Sequence, residues 1–573
     1  MKERITYIVR DSKNNEFNPE ILQIDGNSLR FTKGIDAARE WSVTVDLDEL
    51  GERVDPKTAQ WFYEILRNSH EFHIRWSTPE RYDAIAPFAS RITPGLHAFW
   101  TPLADGGDDT EIGTKVCGLI HRLFGPLVPK ADNQNIKCKR VEESFTIMPI
   151  LSGRFSHTAS RQFFAYVPDL MNLATYCQIL FCPNDNYKCN LPTRQLMTAD
   201  SFDMDWDSIS GVINLKAYWS GARGKEGWKD THSLKERMAG KSKGSLEVGV
   251  LMNEITAKGE EEELKFSGVL TQVGKDDHAA PVMFSFPARH HSLPPANSGN
   301  RAGPNSGYHV GFVEPTGLHP TLAIRINWRD LIRPSPSCRL HTYLTLPSYL
   351  FIDRYPLQDS LFLANHHLKA LHSLSGATDL EAPDWVVPQW GSAALFEIAH
   401  PEVKEWTKEL KQPPFRATIP LHLRYLTPSH SSNTSKPLPP AVNVTHGKAE
   451  VLVPWPQVFW VCPAAESSAQ FPNSPFDRTN LGYDGLFGPK TMFYHFLSNS
   501  AINAKHGAVE TLHVPVLDLE NWSTKYVEWV TVLLVFGGAL LIAGMIGRTL
   551  VRDFGRRFKV FVGGEDEAEK KKN

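Results

Sequence analysis

Three carboxylates at two-residue spacing, Asp203-Met204-Asp205-Trp206-Asp207, are the first place in this 573-residue chain where chemistry could be done. Alternating carboxylates can hold a divalent cation, as in the D-x-D motif of sugar-nucleotide transferases. The run is not a calcium hand, because position 208 is Ser where Gly is needed and position 214 is Asn where Glu is needed. The competing reading is an acidic strand edge or turn. Gly240-Lys241-Ser242-Lys243-Gly244 matches G-x-S-x-G, yet a nucleophile elbow needs a strand before it and a helix after it, and this run sits in a hydrophilic basic insert at 221–245. Nor is it a phosphate loop, since position 235 is Lys where the leading Gly belongs. His290-His291, and His366-His367 with His372, offer imidazoles to a metal, against 22 histidines that make such neighbours frequent. No set of nucleophile, base and oxyanion donors emerges. The chain therefore reads as a non-enzyme, with no catalytic residue, metal or cofactor expected.

The elements that would position these residues are mostly strands. Upstream of 287 the pattern is mixed: PKTAQWFYEILRNSH at 56–70 has the period of one amphipathic helix, and RQFFAYVPDL at 161–170 is strand-like. Beyond 307 the runs LHTYLTLPSYLFI, PLHLRYL and AEVLVPWPQVFWVC are rich in Val, Leu, Tyr, Phe and Trp. They predict antiparallel strands, and their prolines argue for edges or bulges rather than a buried parallel sheet. His422, Arg424 and Tyr425 alternate with Leu421, Leu423 and Leu426 in strand fashion, which would turn three polar groups toward a partner or toward solvent.

Three polar stretches punctuate the chain: 221–245, the Pro-, Gly-, Ser- and Asn-rich 288–307, and PSHSSNTSKPLPP at 428–440. The expected organisation is a mixed α+β N-terminal region at 1–287, a linker at 288–307, and an antiparallel β-sandwich-like domain at 308–520. A membrane helix at 527–547 and a basic tail at 548–573 complete it. Composition fits a folded ectodomain, with 41% apolar residues and a formal net charge of -3, and excludes a disordered chain or a nucleic-acid binder.

The stretch Trp529 to Gly547 is uncharged and bounded by Glu528 and Arg548. At about 1.5 Å per residue its helix matches a hydrocarbon core of about 30 Å. Arg548, Arg552, Arg556, Arg557 and Lys559 follow it, and only Lys525 lies close before it. The positive-inside rule then puts the C-terminus in the cytosol and the rest in the lumen or outside the cell. In a cytosolic tail, Lys570 and Lys571 fit the dilysine pattern that returns membrane proteins to the endoplasmic reticulum. The N-terminal MKERITYIVRDSKNNEF, however, has no apolar h-region and no recognisable signal peptide. Ala539, Ala543 and Gly547 recur every fourth residue, giving the span one stripe of small residues where another helix can approach.

Sequons at Asn433, Asn443 and Asn521 are candidate glycosylation sites of a lumenal domain, Asn521 lying within a few residues of the bilayer. Seven cysteines leave at least one unpaired. Cys177, Cys182 and Cys189 are close enough for a local bridge. Cys338 and Cys462, the only two in the C-terminal half, form the other candidate pair.

Ordered pieces between 338 and 463 carry a resemblance: CRLHTYLTLPSYLFIDRYPLQD from Cys338, LEAPDW at 380–385, PLHLRYLTPS at 420–429 and VFWVCPA at 458–464. The set is similar to the PIG-X family, including its fungal protease B-nonderepressible members. The matching positions are Leu346, Pro347, Tyr349, Phe351, Asp353 and Tyr355, then Pro420, His422, Arg424 and Tyr425, then Phe459, Trp460 and Cys462. The resemblance implies an endoplasmic reticulum protein that is the non-catalytic subunit of glycosylphosphatidylinositol (GPI) mannosyltransferase I. Its implied partner is a multi-pass enzyme of the PIG-M type, which moves the first mannose from dolichol-phosphate-mannose. Residues 1 to about 330 lie outside these motifs. The alternatives are a general lumenal folding factor or a glycosyltransferase using the Asp203/Asp205/Asp207 cluster.

Overall fold

The computed structural model describes residues 1–10, 18–49, 56–88, 91–103, 109–125, 136–149, 160–181, 194–224, 226–234, 244–254, 263–274, 278–293, 307–328, 330–378, 382–401, 413–426, 441–445, 447–464, 476, 482–499, 507–517 and 522–569. The fold is mostly β. The chain forms two compact units. Met1–Leu426, Lys436–Asn443 and Glu450–Val514 make the first, and Thr427–Ser435, Val444–Ala449 and Pro515–Asn573 the second.

The N-terminal strands are β1 (Lys2–Val9), β2 (Leu22–Asp25), β3 (Ser28–Phe31), β4 (Ala37–Asp46), β5 (Ser69–Ser77), β6 (Gly95–Pro102) and β7 (Thr146–Ile147). They continue with β8 (Arg161–Ala165), β9 (Ser201–Asp207), β10 (Val212–Trp219), β11 (Thr231–Ser233), β12 (Ser245–Asn253), β13 (Glu263–Val273) and β14 (Ala280–Pro287). Eleven of them form one sheet in the order β14-β13-β12-β1-β4-β10-β9-β5-β6-β8-β7. Its β1–β12 pair is parallel, so the sheet is mixed.

Side chains alternate across a strand, and β5 and β9 show what each face does. Phe72, Ile74 and Trp76 with Phe202, Met204 and Trp206 are buried in one cluster with Ile65 and Leu66, Val116, Ile120 and Leu123, and Leu173. These last belong to the helices Pro56–Arg67, Asp109–Phe124 and Met171–Phe181. The first is the amphipathic helix its period predicts. His73, Arg75, Asp203 and Asp205 alternate with those apolar residues on the opposite face.

The C-terminal strands are β15 (His290–Ser292), β16 (Tyr308–Phe312), β17 (Thr321–Ile326), β18 (Arg339–Pro347), β19 (Leu350–Phe351), β20 (Leu368–Gly376) and β21 (Gly391–Ile398). After them come β22 (Phe415–Pro420), β23 (His422–Leu423), β24 (Ala441–Thr445), β25 (Lys448–Pro454), β26 (Gln457–Pro463), β27 (Thr491–His495) and β28 (Val509–Pro515). A six-stranded sheet runs β15-β27-β26-β18-β21-β20. Leu340, Leu344, Leu346, Val458 and Trp460 share a core with Ile324, Ala417 and Ile419 of the three-stranded sheet β16-β17-β22. Tyr343, Leu395, Phe459 and Phe493 belong instead to the cluster that also holds the N-terminal sheet.

The boundary expected at 288–307 does not separate two bodies. β15 lies inside that range and pairs in parallel with β27. The two regions are also stitched directly: Thr93 Oγ1 lies 2.8 Å from Thr345 Oγ1, Trp390 Nε1 donates to the Gln162 carbonyl at 2.8 Å, and the Tyr483 hydroxyl donates to the Arg91 carbonyl at 2.6 Å. Proline and glycine content reports local turn chemistry, which is blind to whether the flanking sheets bury one another. Residues 294–306 lie outside the described residues. The prolines meet their expected role only in part. Pro420 closes β22, an edge strand, but Pro347 is the last residue of β18, an inner strand flanked by β26 and β21, and Pro463 closes the inner strand β26. A strand end tolerates proline because no further ladder bond is asked of its nitrogen.

The second unit carries the helix Trp522–Glu569, 48 residues long. Its segment Lys525–Arg557 is long and apolar enough to cross a membrane, with none of its apolar window buried. The helix runs on through most of the tail expected at 548–573.

Candidate functional site: the Arg424 clasp and the apolar helix

Three of the four motif pieces meet at one place. β19 pairs with β23, setting Leu350 opposite Leu423 and Phe351 opposite His422, so the Leu-Pro-aromatic run and the Pro-x-His-x-Arg-Tyr run lie side by side. Arg424 follows β23 and is buried. Its Nε donates to the Ser348 carbonyl at 3.0 Å, and its two terminal nitrogens donate to the Ala382 and Ala377 carbonyls at 2.6 and 3.5 Å. A planar fork of donors suits three carbonyls arriving from different segments.

The third motif piece, LEAPDW, is held by the same clasp. The Asp384 amide donates to the Tyr425 carbonyl at 3.1 Å, and the Ser348 hydroxyl donates to Asp384 Oδ1 at 2.6 Å. Lys137, from the N-terminal region, donates to the Asp384 carbonyl at 3.1 Å. Burial pulls the Lys137 ammonium below its ordinary range; Asp384 opposes that shift and Arg424 adds to it. The Tyr349 hydroxyl donates to the Leu452 carbonyl, and burial holds that phenol protonated. On this rigid base Trp385, Val386 and Tyr425 stand exposed. The clasp fixes backbone and presents a surface.

The strand-like alternation expected over 421–426 is therefore corrected. β23 is only two residues long, so the alternation ends before Arg424, which turns inward to three backbone carbonyls. Tyr425 is exposed, and His422 is half-buried against Phe351. Burial and the neighbouring His319 lower the His422 pKa, with Asp353 acting the other way.

The Asp203/Asp205/Asp207 run is an interior strand rather than an open cation site. Arg75 Nε donates to Asp203 Oδ1 at 2.9 Å, and His73 Nδ1 lies 3.0 Å from Asp205 Oδ1. Asp207 Oδ1 accepts from the Ile209 amide at 3.0 Å in the turn to β10. Two of the three carboxylates thus already have a cross-strand cationic partner. Nearby, Asp484 is buried 3.0 Å from His290 Nε2, and burial raises its pKa less than His290, Arg75 and Arg289 lower it.

Cys338 and Cys462 are disulfide-bonded, their Cα atoms 4.2 Å apart. The register that pairs Arg339 with Val461 places them opposite one another. A second disulfide, Cys117–Cys138, was not foreseen; its only sequence signal was Cys117 on the apolar side of a helix. Cys177 carries no disulfide, and Cys182 and Cys189 lie outside the described residues. So do Asn433, Asn521, Lys570, Lys571 and, but for Gly244, the G-x-S-x-G run. Asn443 lies in β24. Ala539 and Ala543 are exposed on the apolar helix and Gly547 partly so. A Cβ built on Gly537, Gly544 or Gly547 would meet nothing within 4 Å.

Among the described residues, a β body and one helix long and apolar enough to cross a membrane define a candidate single-pass membrane protein whose motif residues hold an exposed aromatic surface. The chain belongs to the PIG-X / PBN1 family: the family model matches residues 315–547, beyond the motifs at 338–463 and through the apolar helix. It is 39% identical over 559 residues to "Protein pbn1" of Emericella nidulans, covering 96% of each chain. It is 35% identical over 535 residues to "Protein pbn1" of Neurospora crassa, covering 93% of this chain and 91% of that one. With "Protein PBN1" of Yarrowia lipolytica the match is 31% over 258 residues, 42% of this chain and 45% of that one.

Proposed function

We propose that this protein is the non-catalytic, stabilising subunit of GPI mannosyltransferase I, required for transfer of the first mannose from dolichol-phosphate-mannose. The observation that carries the reading is the convergence of three of the four PIG-X / PBN1 motif pieces on the Arg424 clasp, a structural device that holds Trp385, Val386 and Tyr425 outward. Its partner is a multi-pass enzyme of the PIG-M type, contacted in the membrane and in the lumen. The Ala539/Ala543/Gly547 stripe lets another helix approach closely.

On this reading the protein resides in the endoplasmic reticulum membrane, with the β body lumenal and the C-terminus cytosolic. Arg548, Arg552, Arg556 and Arg557 after the apolar stretch support that orientation, and Lys570 and Lys571 supply retrieval. The region after 307 is read as a sandwich-like lumenal domain. Asn433 and Asn443 carry glycans that Asn433→Gln with Asn443→Gln removes, seen as a lost glycosidase shift.

Deleting the protein is expected to lower the amount of the catalytic subunit and stall anchor synthesis before the first mannose. Normal anchor synthesis with a normal partner level overturns the proposal. Affinity purification should return one stoichiometric partner; many weak ones favour a general folding factor instead.

A further inference from the structure

At the far edge of the six-stranded sheet three potential metal ligands meet that the sequence scatters over more than fifty positions. His341 lies on β18, Glu397 directly opposite on β21, and His372 on the edge strand β20. One ligand atom from each falls within 4.8 Å of the others. The imidazoles of His341 and His372 stack at 5.4 Å.

The backbone makes this meeting deliberate. β20 pairs with β21 irregularly, with register shifts between Leu368 and Ala370 and between Leu371 and Ser373. The residues left over at these two bulges are Lys369 and His372. Bulges re-aim side chains, and both extra residues point at the same carboxylate: Lys369 Nζ lies 2.7 Å from Glu397 Oε1 and His372 Nε2 3.0 Å from Glu397 Oε2. Glu397 is buried, with a side chain 5% exposed, whereas His372 is 41% and Lys369 57% exposed. His341 is buried as well, and its Nδ1 sits 3.1 Å from the Arg339 carbonyl. A proton held there leaves Nε2 with its lone pair, the arrangement in which a ligating histidine is oriented by the hydrogen bond its other nitrogen makes.

We propose that His341, His372 and Glu397 form a binding site for a borderline transition-metal ion of the Zn²⁺ class, which cross-braces β18, β21 and β20. Two imidazoles with one carboxylate suit Zn²⁺ or Co²⁺ and are wrong for Ca²⁺ and Mg²⁺, which take oxygen ligands. A tetrahedral ion at about 2.0–2.2 Å from each ligand needs the three atoms to close in from their present spacing. His372, exposed and at a bulge, supplies most of that movement by turning its ring from the Glu397 contact. The fourth position faces solvent and takes a water. Lys369 neutralises Glu397 until the ion arrives and then yields to it. The brace would pin an edge strand, the part of a sheet with the fewest hydrogen-bond partners.

The test uses the purified full-length chain in detergent micelles, stripped with a chelator and titrated with Zn²⁺ by calorimetry and with Co²⁺ by visible absorption. One ion per chain is expected, with the intense d–d bands of tetrahedral Co²⁺ and a rise in Tm. His372→Asn, at an exposed position that should still fold, is expected to weaken binding by more than about a hundredfold, since losing a ligand costs more than the roughly ten- to hundredfold of losing an outer partner, and to abolish the Tm rise. Lys369→Met removes the competing ammonium and should tighten binding. His366→Asn, outside the trio, should leave it unchanged. Absence of stoichiometric binding to a folded wild-type chain, or binding unaffected by His372→Asn, overturns the proposal. A Lys369→Met chain that binds no metal would show an ion-pair network only.

Discussion

The guanidinium of Arg424 lies 4.4 Å from the ring centroid of Phe351, on the residue paired with His422 across the short β19–β23 ladder. Its stacked plane and its three carbonyl acceptors leave little room for another cation. Arg424→Ala is expected to lower unfolding stability by about 3–5 kcal/mol, because the carbonyls it satisfied stay buried. Arg424→Lys recovers only part of this, since an ammonium cannot bridge three segments. Chemical denaturation of both variants checks the order wild type, Lys, Ala.

Acid should unfold the protein through the polar face of the large sheet. Burial alone would raise the Asp205 pKa, but the hydrogen bond and charge of His73, with Lys216 and Arg75, carry it from 3.8 down to about 2. A depressed carboxylate contributes stability that is complete above about pH 4 and disappears as pH falls toward 2, here on the order of 2 kcal/mol. The His73 pKa moves the opposite way: burial pulls it down, but Asp205 and Glu71 outweigh that and raise it. The stability from its protonated form is full below about pH 6.5 and is lost as pH rises through the raised value. Asp205→Asn should flatten both limbs in denaturation midpoints followed from pH 8 to 2.

Removing the Cys338–Cys462 bridge opens a loop closed over a sequence separation of 124. Cys338→Ser with Cys462→Ser is expected to cost about 2–5 kcal/mol. Peptide mapping without reductant should find the two cysteines in one linked species in the wild type and the link gone from the double variant.

The apolar helix offers a test of the proposed complex. Ala539→Leu with Ala543→Leu and Gly547→Leu fills the small-residue stripe without removing hydrophobicity. Co-purification of the catalytic partner should fall severalfold while carbonate-resistant membrane association is kept. Unchanged co-purification would place the contact elsewhere.

The sequence reveals what short-range periodicity controls and little of what register controls. The helix at 56–67, strand β8 and the apolar span were all readable, because each is a local pattern of apolar spacing. Asp203 and Asp205 invited a metal reading because their partners, Arg75 and His73, lie about 130 residues upstream and meet them only through the β5–β9 register. Arg424 looked exposed because the alternation around it was assumed to continue past a two-residue strand. His372 drew attention beside His366 and His367, whereas the fold groups it with His341 and Glu397, reached through two bulges. β1 was opaque for a related reason: KERITYIV carries charges that pair across the sheet, as Arg4 does with Glu247.

The parallel pairing of β15 with β27 has a consequence for biosynthesis. His290 meets His495 only after 205 further residues have left the ribosome, and Tyr483, whose hydroxyl reaches Arg91, arrives almost as late. Through most of translation the N-terminal half therefore waits with an unfinished face, a state prone to misassembly. Chains cut short between about 300 and 480 should be recognised as defective and degraded, and the segment matching the family, grown without its first 300 residues, should need a surrogate for the surface it has lost.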